Sequence, residues 1–175
     1  MQATAENAAP DGGTTVGRPD GRTGTLVIGI GNSLFGDDGA GIHVIERLRA
    51  LDLPDGIELV DGCTLSFTLL EIVENADRLI VVDAAQLDAA PGTVRVFRDA
   101  EMDEYLNSSA RPSVHEVNLL DVLVAARLRG RMPARYSLVG IQPQSLDWSS
   151  EPTPAVAAGV DRAAETIFAL CGEAA

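Results

Sequence analysis

Short apolar stretches alternate with amphipathic ones along most of the chain, at the spacings of strands and helices. The first apolar stretch, 25–30, is rich in β-branched residues and closed by glycine, which predicts a buried parallel strand. Apolar residues then recur at helical spacing from Ile42 to Leu51, with charged residues between them. The chain therefore opens its folded part with a strand that is followed by a helix.

The same alternation continues to residue 170. It predicts further strands at 57–60, 78–82 and 136–141 and helices at 65–73, 117–128 and 154–170. The strand at 78–82 is hydrophobic throughout, so we expect it to be central in its sheet.

One strand departs from the parallel pattern. Residues 93–97 alternate between apolar and polar and follow Pro91-Gly92, which predicts a half-exposed strand after a turn. Too few residues separate this strand from Asp83 for a parallel crossover, which needs about a dozen or more. We therefore predict an antiparallel strand at the edge of the sheet.

The stretch between the edge strand and the last strand completes the pattern. Residues 102–112 are predicted to form a polar loop, and the next helix should carry a set of apolar residues on one side, namely Val117, Leu120, Val124 and Leu128. Together the elements predict an α/β fold. It is a three-layer sandwich with a mostly parallel, twisted five-stranded sheet and helices on both faces.

Composition sets the domain organisation. Residues 1–23 lack hydrophobic periodicity, which predicts a disordered tail ahead of a single α/β domain at 24–172. A chain of 175 residues can bury a core without disulfides or a structural metal. Cys63 and Cys171 form no disulfide or ligand spacing pattern, which favours a reducing compartment.

Charge narrows the choice of partners. The net charge of −13 makes nucleic acid and anionic membranes unsuitable partners, since both require clustered basic residues. No segment has the pattern of a secretory signal or of a membrane span. We expect a cytoplasmic protein that is a monomer when free.

The run from Gly29 to Gly41, GIGNSLFGDDGAG, places Asp37 and Asp38 at the turn from the first strand to the first helix. A dinucleotide-binding loop does not fit, because Leu34 stands where the third glycine is required and two carboxylates would repel a pyrophosphate. The pattern indicates a cation instead. The alternative is structural, with glycines that make a tight turn and Asp37 as a helix N-cap.

Three polar residues should meet at one edge of the sheet. Asp38 follows the first strand, Asp83 ends the third, and His115 begins the helix before the fifth. Parallel strands share one carboxyl edge, so these side chains can converge and bind a divalent ion such as Ni, Zn, Co or Mn with open coordination positions. Alternatively, Asp83 caps a turn and His115 hydrogen-bonds backbone. His43 lies about a turn away along its helix and is not expected to be a ligand.

Several motifs in order resemble one family, the maturation endopeptidases of nickel-iron hydrogenases. The resemblance runs from about Thr25 to Leu170. The family pattern G-x-G-N-x-L-x-x-D-[DE]-G-x-G lies at 29–41, and the further matches are Asp-Gly-x-Thr at 61–64, Val-Val-Asp-Ala at 81–84, a histidine ahead of Leu-x-Asp-Val-Leu at 115–123, and Gly-Ile-Gln-Pro at 140–143.

The resemblance implies which residues form the site. Asp38, Asp83 and His115 are expected to bind nickel, or a surrogate such as Zn or Cd. The same loop supplies three residues that we expect to contact the substrate, which are Gly31, Asn32 and Asp37. Cys63 stands where the family pattern has glycine, and its role is open.

The resemblance also implies the reaction. It is one cut that removes the C-terminal extension of the hydrogenase large-subunit precursor after nickel insertion, with the nickel arriving on the substrate. The chain lacks H-E-x-x-H and G-x-S-x-G. Two routes stay open: Asp38 activates water, or the nickel polarises the scissile carbonyl, which we favour. The alternative function is a non-catalytic nickel-binding maturation chaperone with the same ligands.

Overall fold

The computed structural model describes residues 24–63, 67–108 and 114–173. The strands are β1 (Thr25–Gly29), β2 (Ile57–Asp61), β3 (Arg78–Ala84), β4 (Val94–Arg98) and β5 (Arg135–Ile141). The helices are α1 (Ala40–Arg49), α2 (Leu70–Asn75), α3 (Ala100–Ser108), α4 (Val114–Leu128) and α5 (Pro154–Gly172), with short 3-10 helices at Gly36–Gly39 and Phe67–Leu69. The predicted tail, 1–23, lies outside the described residues, and its disorder stays a prediction.

The five strands form one sheet in the order β2-β1-β3-β5-β4. All neighbouring pairs are parallel except β4 and β5, which are antiparallel. The central position of β3 and the antiparallel edge strand β4 are as predicted. The connection after β3 is too short for a parallel crossover, which accounts for the antiparallel direction of β4, and β5 lies between β3 and β4 in the sheet.

Helices cover both faces of the sheet, which confirms the three-layer α/β architecture. Alternate residues of β3 point to opposite faces: Ile80 and Val82 pack with α1 and α5, whereas Leu79 and Val81 pack with α2, α3 and α4. Residues 79–82 of β3 are all apolar and buried, so this strand is apolar on both faces. This explains why the central strand reads as an unbroken hydrophobic run.

The segment predicted as a polar loop at 102–112 is instead helix α3 up to Ser108, and residues 109–113 lie outside the described part of the chain. Met102 and Leu106 are four residues apart and both buried. Acidic residues in the first turn favour a helix N-terminus there. The prediction failed because two buried residues are too few to stand out among polar ones.

The predicted apolar side of α4 was also wrong in part. Val124 and Leu128 are exposed, and the helix buries a different set, which is Leu119, Val122, Leu123 and Ala126. The helix is apolar on more than one side, so spacing alone could not choose between two apolar stripes. Helix α2 begins later than predicted, at Leu70, and the predicted residues 65 and 66 are not described.

No helix in the described part of the chain is long and apolar enough to cross a bilayer.

Candidate functional site

The loop after β1 is shaped by glycines that allow close backbone contact. Gly31 has a φ of 140°, and a side chain there would overlap the carbonyl oxygen of Asp38. A side chain at Gly41 would overlap the carbonyl oxygens of Ile30 and Val82. The glycines therefore let the start of α1 sit directly against the ends of β1 and β3, which brings Asp38 to the carboxyl edge of the sheet.

Asp37 is fully buried and bound on both carboxylate oxygens. Its Oδ2 accepts hydrogen bonds from the backbone N–H groups of Gln144 and Ser145 at 2.8 and 2.9 Å and from Oγ1 of Thr153 at 3.0 Å. Its Oδ1 accepts one from the N–H of Thr153 at 2.6 Å. Asp37 thus ties the loop after β1 to the connection between β5 and α5. We call Asp37 and these three donor residues the buried anchor.

This arrangement rules out the N-cap alternative for Asp37, because its oxygens accept hydrogen bonds from donors far away in sequence. Asp37 is fully buried, and the N–H of Gly31 donates to the carbonyl of Cys63 at 2.8 Å, so both residues shape the loop. Substrate contact by Gly31, Asn32 and Asp37 stays a prediction, and Asn32 is the half-buried member of this set.

Asp38 points the opposite way from its neighbour, toward the open edge of the sheet. Its Oδ2 accepts a hydrogen bond from the backbone N–H of Asn32 at 3.1 Å. Its Oδ1 lies 3.8 Å from Nδ1 of His115. The side chain is 22% exposed, so one face of this carboxylate can be reached from solvent.

Asp83 and His115 complete the group, as the sequence predicts. Asp83 is the next-to-last residue of β3, and His115 lies in the first turn of α4. Asp83 Oδ1 lies 3.5 Å from Nδ1 of His115, and the Asp83 side chain is only 2% exposed. Three residues from three separate elements therefore converge on one point. We call Asp38, Asp83 and His115 the open-edge triad.

The environment of Asp83 is unfavourable for a charged carboxylate. The pKa of Asp83 is raised to about 6, chiefly by burial; His115 and the N–H of Ala84 act to lower this pKa, and the nearby Asp38 adds to the rise. Among the described residues, no donor meets hydrogen-bond geometry with Asp83 Oδ1. A buried oxygen of this kind is expected to have a partner, and a cation would supply one.

The donor types of the triad suit a borderline divalent ion. The distances do not amount to a closed site, however, since no group of three or more His, Cys, Asp and Glu side chains within 24–63, 67–108 and 114–173 is arranged to hold a metal by itself. Two carboxylates and one imidazole leave positions free for ligands from another molecule. The metal-binding role of the triad thus fits the residues present and stays a prediction.

Cys63 lies beside the loop that carries Asp38, and its carbonyl accepts the hydrogen bond from the N–H of Gly31. Its φ is 46°, a conformation that favours glycine and fits the family pattern at this position. The thiol donates to Oδ1 of Asp61 at 3.3 Å, and this hydrogen bond, together with the charge of Asp61, raises the pKa of the thiol. Such a thiol is held protonated and is a weak nucleophile or ligand.

Gln142 positions the loop that follows Asp83, a role that the sequence analysis did not predict. It is buried, its Oε1 accepts a hydrogen bond from the N–H of Leu87 at 2.7 Å, and its Nε2 donates to Oε1 of Gln86 at 3.0 Å. Gln142 thus holds the loop that follows Asp83. A polar residue directly after the apolar strand β5 was the available signal.

His43 does not join the triad. Its Nδ1 contacts Oε2 of Glu46 at 3.2 Å, one turn further along α1. The side chain therefore belongs to the flank of the helix, as predicted.

Comparison with known proteins gives a consistent result. A family model described as hydrogenase maturation protease matches residues 42–170. The chain is 37% identical over 150 residues to the hydrogenase 2 maturation protease of Escherichia coli, which covers 85% of this chain and 90% of that protein. It is 39% identical over 123 residues to the hydrogenase expression/formation protein HoxM of Azotobacter vinelandii, covering 70% of this chain and 59% of that protein.

The fold is similar to a solved structure as well. The hydrogenase maturating endopeptidase HybD from Escherichia coli superposes with a TM-score of 0.77 at 37% identity, covering 84% of this chain and 91% of that chain.

Proposed function

The chain belongs to the hydrogenase maturation protease family, and we propose that it removes the C-terminal extension of a nickel-iron hydrogenase large-subunit precursor once nickel has been inserted. In this proposal Asp38, Asp83 and His115 of the enzyme bind the nickel that the precursor holds, and the enzyme recognises a loaded precursor in this way. The observation that carries it is the convergence of these three side chains at the carboxyl edge of the sheet. The protein is accordingly a hydrolase.

The triad is chemically compatible with nickel, as it is with other borderline divalent ions. An imidazole and two carboxylates bind nickel, and Zn or Cd could substitute for it because their ligand preferences overlap. We treat the ion as part of the substrate, because an incomplete ligand set binds weakly unless the precursor supplies the remaining ligands. A precursor without nickel would lack the group that the triad recognises.

The three ligands differ in how they can act. Asp83 and His115 are nearly enclosed, whereas Asp38 keeps an exposed face and is oriented by the N–H of Asn32. Asp38 is therefore the member that can take a proton from an attacking water and return it to the leaving amine. Nickel bound to the substrate would add Lewis-acid polarisation of the scissile carbonyl.

The test incubates purified protein with nickel-loaded precursor and follows the precursor by intact-mass spectrometry. We expect loss of the C-terminal extension with wild-type protein and no loss with Asp38→Asn, Asp83→Asn or His115→Gln. Stable binding without a mass change would instead favour the nickel-binding chaperone. A triad variant that retains full cleavage would remove that residue from the site.

His43→Gln is the matched control for His115→Gln, because it removes the other histidine of the chain from a helix flank outside the triad. A cytoplasmic location, a monomeric free state and the absence of nucleic-acid partners stay predictions.

A further inference from the structure

Four large apolar residues lie exposed on two loops that meet beside the triad. Two come from the loop after β1 and two from the connection between β5 and α5, namely Leu34, Phe35, Leu146 and Trp148. Trp148 is 73% exposed, and Phe35 is 38% exposed. We call these four residues the apolar shelf. Leaving them in water forgoes the free energy of burying large apolar and aromatic groups, so their exposure calls for an explanation.

The shelf is a built surface, because the two loops are fixed to each other. The rings of Phe35 and Trp148 pack edge to face, with centroids 5.2 Å apart and an interplanar angle of 75°. Below the rings, the N–H of Gly36 donates to the carbonyl of Ser149 at 2.7 Å, and the N–H of Ser149 donates to that of Leu34 at 3.1 Å. A partner would meet a preorganised surface and lose little entropy in ordering it.

The buried anchor fixes the shelf relative to the triad. Asp37 binds backbone N–H groups of Gln144 and Ser145, which directly precede the shelf residue Leu146. On the other loop, Asp37 is itself adjacent to the triad residue Asp38 and two positions after Phe35. The anchor thus ties the shelf to the loop that carries Asp38, whereas the equally apolar Leu128 is exposed at the end of α4.

Charge indicates what kind of segment would fit. Asp147 lies between the two shelf residues of its loop, Glu151 follows a little later, and both are exposed. The whole chain carries a net charge of −13. Acidic groups at the rim of an apolar surface favour a partner with basic residues next to its apolar side chains.

We infer that the apolar shelf docks a segment of the precursor polypeptide that presents apolar side chains with a basic residue beside them, next to the bond to be cut. This inference rests on the proposed function, since it assigns the shelf to the same substrate. Docking there holds the chain by its side chains while Asp38 faces the scissile peptide. Trp148 supplies the largest exposed contact and is the expected hot spot.

The first test uses the fact that Trp148 is the only tryptophan of the chain. Protein labelled with 5-fluorotryptophan should give one ¹⁹F resonance. Unlabelled nickel-loaded precursor in saturating excess should shift this resonance and remove its solvent isotope effect, because the ring is no longer in contact with water. A resonance that stays unchanged while the precursor is being cut would overturn the shelf proposal and leave the endopeptidase function intact. A shifted resonance without any cleavage would keep the docking surface and remove the peptidase function. If neither a shift nor cleavage is seen, both the shelf proposal and the peptidase function are overturned.

The second test is kinetic. Trp148→Ala and Leu146→Ala should each raise KM for nickel-loaded precursor about tenfold or more with little change in kcat, because they remove binding contacts and leave the triad in place. Leu128→Ala is the matched control and should leave both constants unchanged. Equal constants for all three variants would contradict the proposal. So would a wild-type dimer in sedimentation that Trp148→Ala converts to a monomer, since the shelf would then bind a second copy of the chain.

Discussion

The buried anchor and the open-edge triad each contain a deeply buried carboxylate, Asp37 in the anchor and Asp83 in the triad, yet the environments of these two carboxylates are opposite. Asp37 is sealed from solvent and accepts four hydrogen bonds, three of them from backbone N–H groups. Asp83, in the triad, is almost as deeply buried but has an oxygen for which the described residues supply no donor. The same functional group is satisfied in one region and unsatisfied in the other.

This difference separates a carboxylate with a structural role from one that is available to a ligand. A carboxylate whose donors are all internal stabilises the fold and has no capacity left for a ligand. A carboxylate that lacks donors destabilises the fold until a cation or a proton arrives. The contrast therefore predicts opposite effects on stability when each carboxylate is replaced.

The largest effect is expected for Asp37→Asn. An amide cannot accept hydrogen bonds at both of its positions, so at least one buried N–H group loses its partner. We expect the free energy of unfolding to fall by about 3 to 5 kcal/mol, as measured by urea denaturation. Asp38→Asn is the matched control at the neighbouring position and should change stability little. An Asp37→Asn variant as stable as wild type would break the comparison.

A smaller effect of opposite sign is expected for Asp83→Asn. The pKa of Asp83 is raised to about 6, so the folded state holds this proton more tightly than the unfolded state does. In wild type this contribution to stability is present below about pH 4 and is lost as the pH rises through about 6. The asparagine side chain does not ionise, so the variant does not lose stability in this way as the pH rises. Above pH 6 its free energy of unfolding should exceed that of wild type by up to about 3 kcal/mol, and near pH 4 the two should be equal.

Unfolding curves from pH 4 to pH 8 measure this effect. Asp52→Asn, at an exposed aspartate in the loop after α1, is the control and should show no pH-dependent gain. If Asp83→Asn lost stability equally at pH 4 and pH 8, the cost of burying a charged carboxylate would not describe this residue.

The smallest effect is expected for His43→Gln. The imidazole is only 20% exposed, but its Nδ1 pairs with the exposed Glu46 and its buried Nε2 has no hydrogen-bond partner among the described residues. Replacing it should therefore change the free energy of unfolding by about 1 kcal/mol at most and leave precursor cleavage nearly unchanged. Loss of activity comparable to that of His115→Gln would place His43 in the site together with the three residues of the triad.

The fold was predictable because strand and helix patterns alternate repeatedly along the chain. Strand β3 is apolar on both faces, and the short connection from Asp83 to β4 excludes a parallel crossover. Helix α3 was not predictable at the same level, since only Met102 and Leu106 mark its buried side. In α4, Leu128 is exposed and Leu123 is buried, but the sequence does not distinguish them, because tertiary packing decides which side of the helix is buried.

The triad was predictable because parallel strands bring their carboxyl ends to a common edge, whatever the distance along the chain. The role of Asp37 was not, because its donors lie more than a hundred residues away, in a loop without regular structure. The same holds for the apolar shelf. Phe35 and Trp148 lie more than a hundred residues apart in sequence and are in contact only through tertiary structure.

The most direct test of the central claim asks where the metal comes from. Purified protein is treated with a chelator, shown to remain folded by circular dichroism, and mixed with nickel-loaded or nickel-free precursor without added metal. Because the triad supplies only three ligands, we expect the chelated protein to cut the nickel-loaded precursor and to leave the nickel-free precursor intact even at enzyme excess. Cleavage of nickel-free precursor, or a requirement for a metal bound tightly by the enzyme itself, would contradict recognition of substrate-borne nickel by Asp38, Asp83 and His115.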